Sequence, residues 1–278
     1  MISRRAVLLG SCLVALPAFA ATPRVVVLGG SIAEIVAALG AEGQLVGRDT
    51  TSTYPASLLA LPDVGYVRAL SAEGVLSLAP DLILAEEDAG PPPVVEVLKA
   101  AGPRFVTLPG ATDGPGVLAK ITATAEALGL SAEALLAKVQ ADLDRAAALA
   151  AAVTAPQSVL FVLSLQGGSV MAGGAGSSAE GIIALAGGIN AATGFTGFKP
   201  MTDEAVLAAN PGAILVMDRE GELSITPEMI AAHPALGQTS AGLAGRVISM
   251  DGIFLLGFGP RTGEAAIALN TALYGAKG

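Results

Sequence analysis

Residues 70–85 read LSAEGVLSLAPDLILA, residues 201–216 read MTDEAVLAANPGAILV, and the two align without a gap. Glu73, Val75, Leu76, Pro80, Ile83 and Leu84 of the first copy match Glu204, Val206, Leu207, Pro211, Ile214 and Leu215 of the second. Each copy reads as a short helix with a hydroxyl N-cap (Ser71, Thr202), a proline that stops it, and an apolar strand. One such unit in each half predicts an α/β fold of two similar lobes. A cleft between lobes is where small ligands bind.

Strand and helix signals alternate around these copies. Strands are expected at 24–29, 44–48, 82–86 and 104–108, and helices at 31–39, 93–101 and 117–128, the last stopped by Gly129. Ser31 and Glu34 have the spacing of a capping box at the start of the first helix. Short apolar runs separated by helices predict mostly parallel sheets. A long helix follows, from Ser131 to about Ala152, with Leu135, Leu136, Val139, Leu143 and Leu149 on one face. The second half repeats the style, with strands at 158–164, 213–217 and 246–250, a cap at Ser177 and Glu180, and a last helix at 263–274. The expected division is a leader (1–20), an N-terminal lobe (21–128), an interdomain helix (129–156) and a C-terminal lobe (157–278). A helical connector is a stiff hinge and predicts small lobe movements.

The N-terminus addresses the chain. Arg4 and Arg5 precede an apolar run, and Ala18-Phe19-Ala20 has the A-x-A form of a secretory cleavage site. Ser3-Arg4-Arg5 also resembles a twin-arginine signal, so Sec and twin-arginine export both fit. A lipoprotein cleavage at Leu9-Gly10-Ser11-Cys12 is the alternative. Cys12 is the only cysteine, so a chain cut after Ala20 has no disulfide and no thiolate ligand. Losing Arg4 and Arg5 takes the formal charge from −9 to −11, which argues against nucleic acid and anionic membrane surfaces as partners.

Few residues can carry chemistry. A single histidine argues against a His-based triad or metal cage, and no G-x-S-x-G, P-loop or H-E-x-x-H occurs. Gly29-Gly30-Ser31 follows a strand but lacks the third glycine of a dinucleotide fingerprint. The segment LPDVGYVRAL (61–70) is more specific. Gly65 permits close backbone approach, and in an extended segment Tyr66 and Arg68 point to the same side. A phenol ionises near pKa 10 unless helped, and ferric iron and a guanidinium both help. From spacing alone, a loop tyrosine beside a surface arginine is the simpler account.

The stretch GGSIAEIVAALG followed by GRDTTSTYPASLLALPDVGYVRALSAEGVLSLAPDLILAEE, together with LLGFGPRT (255–262), resembles the periplasmic haem-binding proteins of haem ABC importers. That group belongs to the helical-backbone binding proteins, which also include cobalamin and siderophore binders. The resemblance covers essentially the whole mature chain. It implies that Tyr66 is the axial ligand of haem iron and that Arg68 sits beside it. It also implies that Glu73 and Glu204, one per lobe, dock on an inner-membrane permease dimer. Some members carry a histidine in a pattern like F-V-x-S-H-G-G, where this chain has Leu165, so ligation by tyrosine plus that histidine is not open to it. His233 reads as a surface residue at a helix end, and Met171 as packing. Glu34 is explained by its capping box.

The reading is a monomeric periplasmic protein that captures haem and delivers it to an ABC permease. A corrinoid or ferric-siderophore carrier of the same class is the alternative. An exported hydrolase is the rival from another class, and it lacks a nucleophile–base pair.

Overall fold

The structure is a computed structural model and describes residues 22–218 and 224–275. The leader assigned to residues 1–20 lies outside the described residues. Strand β1 (Val25–Leu28) is apolar and buried along its whole length. It is followed by α1 (Gly30–Ala38), β2 (Leu45–Arg48), α2 (Ala72–Leu76), β3 (Leu82–Glu86), α3 (Pro92–Ala100) and β4 (Arg104–Leu108). The four strands form a parallel sheet in the order β2-β1-β3-β4. Alternate residues feed opposite faces. Val25 and Val27 pack with Ile32 and Leu84, while Val26 and Leu28 pack with Val75 and Ile83. A parallel sheet covered on both faces needs this unbroken apolar strand.

Helices α4 (Gly114–Leu128) and α5 (Glu133–Ala151) cross to the second lobe. Gly129 ends α4 in the left-handed region, as its position just past the last turn predicts. The second lobe contains β5 (Ser158–Ser164), β6 (Val170–Gly173), α6 (Ser178–Leu185), β7 (Ile189–Asn190), β8 (Phe198–Met201) and α7 (Asp203–Ala209). It continues through β9 (Ala213–Asp218), α8 (Pro227–Ala232), α9 (Ser240–Leu243), β10 (Val247–Asp251), α10 (Gly252–Leu256) and α11 (Thr262–Tyr274). Its sheet runs β10-β9-β5-β6-β8, with β7 also on β5. The β9, β10 and β7 pairings are parallel, whereas β5–β6 and β6–β8 are antiparallel. These antiparallel strands carry little sequence signal: β6 is VMAG and β8 is FKPM, which contains a proline.

The connector is not a free strut. Val139, Leu143 and Ala146 of α5 share one buried cluster with Ile35, Val117 and Ile121 from the first lobe and Phe161, Leu215 and Leu269 from the second. That continuous apolar contact limits how far the lobes can part. Leu149, expected on the buried face, is exposed.

The repeat survives at atomic detail. The Ser71 hydroxyl accepts from the Gly74 N–H (3.4 Å) and the Thr202 hydroxyl from the Ala205 N–H (3.2 Å). Both copies then turn through a positive φ just before the proline, 45° at Ala79 and 36° at Asn210. The capping box at Ser31 does not form. Gly29, with φ 139°, is the N-cap instead, and α1 starts one residue early. The Gly29 N–H donates to Asp49 (3.0 Å) and the Gly30 N–H to Thr51 Oγ1 (3.0 Å), so a neighbouring loop supplies the cap. Ser31 and Glu34 are thereby released for other contacts. A Cβ at Gly30 would meet the Thr51 carbonyl oxygen at 2.5 Å, which leaves no phosphate cradle there.

Candidate functional site

The C-terminal ends of the strands of both lobes open onto one cleft of about 1100 Å³. Ligands of open α/β sheets bind at this edge. The first lobe lines the cleft with polar groups, including Tyr66, Arg68, Glu86, Asp88 and Lys120. The second lobe faces them with the apolar groups Leu163, Phe198, Met217, Ile253 and Leu256, and also with Asp218, Asp251 and Ser177.

The Tyr66 loop is built from the RDTTS stretch outward. Asp49 is fully buried and accepts from the Gly29 and Thr51 N–H groups and from the Thr51 and Ser52 hydroxyls (2.6–3.0 Å). Arg48 donates to the Leu58 carbonyl (3.1 Å) and forms an ion pair with Asp63 (3.2 Å). Asp63 in turn accepts from the Gly65 N–H at 2.8 Å. Gly65 adopts φ 97°, a conformation that favours glycine, and this delivers Tyr66 to the cleft. Val64, Val67 and Leu70 anchor the loop in the core beneath. The segment is not extended, contrary to expectation. The Ala69 N–H donates to the Tyr66 carbonyl at 2.7 Å, which makes a turn. Tyr66 and Arg68 meet nonetheless: Arg68 Nη1 donates to the Tyr66 hydroxyl oxygen at 2.6 Å. Tyr66 keeps 43% exposure and lines the cleft. The other edge of the guanidinium donates to Asp88, a residue the sequence reading did not single out. Burial works against the Arg68 charge, but the hydrogen bonds to Tyr66 and Asp88 outweigh it and hold its pKa above the ordinary value.

A second polar group lies deeper. Lys120 is 3% exposed and donates to Ser31 Oγ (3.0 Å) and, across the lobes, to the Gly257 carbonyl (3.3 Å). Ser31 Oγ donates to Glu86 Oε1 at 2.8 Å. Burial pushes the Lys120 pKa down, against the pull of Glu86. Burial likewise pushes Glu86 up, against Lys120 and Ser31. Lys120 is the one charge in the α4 segment VLAKITATA, and that was the available signal for a buried role.

Glu34 crosses the lobes as well. It is 5% exposed and receives one edge of the Arg261 guanidinium side-on, with Nε donating to Oε2 at 3.0 Å and Nη2 to Oε1. Burial raises the Glu34 pKa although Arg261 opposes it. Arg261 also lies 3.7 Å over the Tyr54 ring, which commits that tyrosine to the clasp.

Glu73 and Glu204 are exposed in the first turns of α2 and α7. The backbone N–H of Glu204 and the Thr202 side chain hold its carboxyl below the ordinary pKa. His233 is half-buried rather than a surface group. Its Nδ1 accepts from the Ala235 and Leu236 N–H groups (3.2 and 3.3 Å), and it does not line the cleft. Leu165 packs against the second-lobe core, and Met171 lies in β6, paired with Pro200.

The site therefore sets a phenol oxygen, backed by a guanidinium, opposite a wall that is apolar at Leu163, Phe198, Ile253 and Leu256 and carries carboxylates at Asp218 and Asp251. That combination suits a flat, largely apolar ligand carrying an electrophilic metal. Comparison with known proteins agrees. The periplasmic heme-binding protein BhuT, solved in complex with two hemes, has 43% identity and a TM-score of 0.85, covering 90% of this chain and 97% of its own. The apo form of the periplasmic heme-binding protein RhuT from Roseiflexus sp. RS-1 has 39% identity and a TM-score of 0.87, with coverage of 91% and 98%. An uncharacterized ABC transporter substrate-binding lipoprotein of Bacillus subtilis, YvrC, is 27% identical over 256 residues, 90% of this chain and 80% of the relative. The family described as periplasmic binding protein matches residues 25–253, and the chain belongs to that family.

Proposed function

We propose that this protein captures haem between its lobes in the periplasm and hands it to an inner-membrane ABC permease. The observation that carries the reading is the 2.6 Å bond from Arg68 to the Tyr66 oxygen at a cleft of about 1100 Å³. It is supported by the relatives at 43% and 39% identity, which are heme-binding proteins. In this reading Tyr66 binds ferric iron as the phenolate, and Arg68 donates a hydrogen bond to that oxygen. Leu163, Phe198 and Ile253 cover apolar faces of the macrocycle. With Leu165 packed in the core, the iron is five-coordinate or takes water as its sixth ligand. The protein acts by binding rather than by catalysis, and as a monomer.

In the same reading, Glu73 and Glu204 contact basic patches of a permease dimer, one per lobe. The lobes are residues 21–128 and 157–278, joined by 129–156. Export removes residues 1–20. The lipoprotein relative keeps the alternative cleavage before Cys12 in view, and the mass of the mature N-terminus decides between the two.

The test is a titration of purified protein with ferric haem, with cobalamin and a ferric siderophore in parallel. A shifted Soret band with a phenolate-to-iron charge-transfer band is expected for haem alone. Free-haem behaviour, or preference for either competitor, overturns the reading.

A further inference from the structure

Arg68 is shared. One edge of its guanidinium donates to the Tyr66 oxygen, and the other forms an ion pair with Asp88. Both partners of that pair are about half exposed (48% and 47%), a setting in which an ion pair adds little to stability. Among the described residues, Asp88 is the one carboxylate within 4.0 Å of Arg68. Its loop is sewn to the tyrosine loop: the Gly90 N–H donates to the Val67 carbonyl and the Leu70 N–H to the Gly90 carbonyl, both at 2.9 Å. Asp88 therefore has a fixed place relative to Tyr66.

A guanidinium can only donate, so the Tyr66 oxygen must accept from it and keeps its remaining lone pairs for a metal. An unopposed cation there would draw electron density from the oxygen and weaken it as a donor. Asp88, on the far edge of the fork, holds the guanidinium plane and offsets part of its charge.

We propose that Asp88 is a positioning residue for haem capture. It fixes Arg68 against the Tyr66 oxygen and offsets part of its charge, so that this oxygen remains an electron-rich donor to ferric iron. The proposal rests on the haem reading and on Tyr66 as the ligand.

The experiment compares ferric-haem complexes of the wild type, Asp88→Asn, Asp88→Ala, Arg68→Ala and Arg68→Ala/Asp88→Asn. The readouts are the charge-transfer band and the rate of haem release to excess apomyoglobin. Asp88→Asn keeps a hydrogen-bond acceptor and loses the charge. Its band moves to shorter wavelength, and its release stays near the wild-type rate. Asp88→Ala loses both functions and releases haem faster, by about fivefold at most, the reach of one exposed ion pair. In the Arg68→Ala background, Asp88→Asn changes nothing, because Asp88 acts through Arg68. The nearly isosteric Asn variant keeps the test open if the Ala variant fails to fold. An unmoved band in Asp88→Asn overturns the proposal, as does a shift that persists without Arg68. A wild type with no phenolate band sinks the haem-ligation reading and this proposal with it. A normal wild-type band with an unaltered Asn variant sinks the proposal alone.

Discussion

The two lobes share a core plan and differ along one edge of their sheets. In the first, β2 pairs with β1 in parallel after a single helix. In the second, the equivalent edge of β5 is divided between short parallel β7 and antiparallel β6, which is extended by β8. The tips match more closely: Ser71 and Thr202 cap alike, and Ala79 and Asn210 turn alike. The cleft surfaces do not match. The first lobe brings charge and a phenol, and the inserted β6–β8 pair brings Phe198 opposite them. In the proposed reading, a duplicated scaffold with unlike strand ends lets one lobe supply the donor atom and the other most of the apolar cover.

The largest expected effect tests that division directly. Tyr66→Phe keeps the ring and removes the oxygen. The charge-transfer band should vanish, and haem should weaken by more than the roughly 10–100-fold that losing an outer-sphere partner costs. Phe198→Ala should weaken haem by about tenfold or less, through lost apolar contact, with the band in place. Spectral titration of both variants measures the contrast. A band retained in Tyr66→Phe, or lost in Phe198→Ala, would reverse the assignment of the donor to the first lobe.

The tips are expected to act as a pair. Reversing both carboxylates in Glu73→Lys/Glu204→Lys should stop haem-stimulated ATPase activity of the reconstituted transporter, because attraction becomes repulsion. Each single reversal should give a partial loss. Haem affinity should be untouched, since neither residue lines the cleft. Full stimulation by the double variant removes the docking role, and loss of haem binding places these residues on the wrong face.

What sequence reading could see was local. The caps at Ser71 and Thr202 lie three residues from their partners, and the strands are continuous apolar runs. Tyr66 and Arg68 are two residues apart, so their meeting did not depend on the extended backbone expected for them. The unseen contacts are long-range. Glu34 meets Arg261 across 227 positions, and Ser31 meets Lys120 across 89. The local capping-box pattern around Ser31 and Glu34 lost to those tertiary partners because Gly29, Asp49 and Thr51 already finish the helix start. Asp88 was hidden in the run Glu86-Glu87-Asp88, where only the fold tells which carboxylate turns to which cation.

The buried cation of the first lobe has no counterpart among the cleft-lining residues of the second, and its removal should cost stability. Lys120→Met leaves Glu86 without its main opposing charge, at about 2 kcal/mol near neutral pH. The folded-state pKa of Glu86 already lies above its ordinary value, so the folded chain takes up a proton before the unfolded chain does. Stability from this group is therefore lost as pH rises through that window and regained as pH falls through it. Without Lys120 the window widens, so the deficit of Lys120→Met should shrink on going from about pH 7.5 to about pH 5. Urea unfolding at the two values measures it. A deficit that fails to shrink on acidification would overturn the assignment of the effect to Glu86.

The smallest effect separates the matched turns before Pro80 and Pro211. Ala79 at φ 45° carries a Cβ in the left-handed region, which costs about 1 kcal/mol or more, whereas Asn210 at φ 36° belongs to the residue types that adopt this region most readily. At the first turn, Arg24 holds the chain through the carbonyls of Leu78 (2.7 Å) and Ala79 (3.0 Å), contacts that do not involve the side chain at 79. Ala79→Gly should therefore stabilise the protein by about 0.5 kcal/mol, strain relief exceeding the entropy added to the unfolded chain. At the second turn, the Asn210 side chain accepts from the Ser240 N–H (2.8 Å) and hydroxyl (3.0 Å). Asn210→Gly gives up those bonds and should destabilise by about 1 kcal/mol. Opposite signs in denaturant midpoints would show that the same backbone turn is held by a distant arginine in one lobe and by its own side chain in the other. Equal signs would mean that the turns share one mechanism and that the Arg24 and Ser240 contacts are incidental.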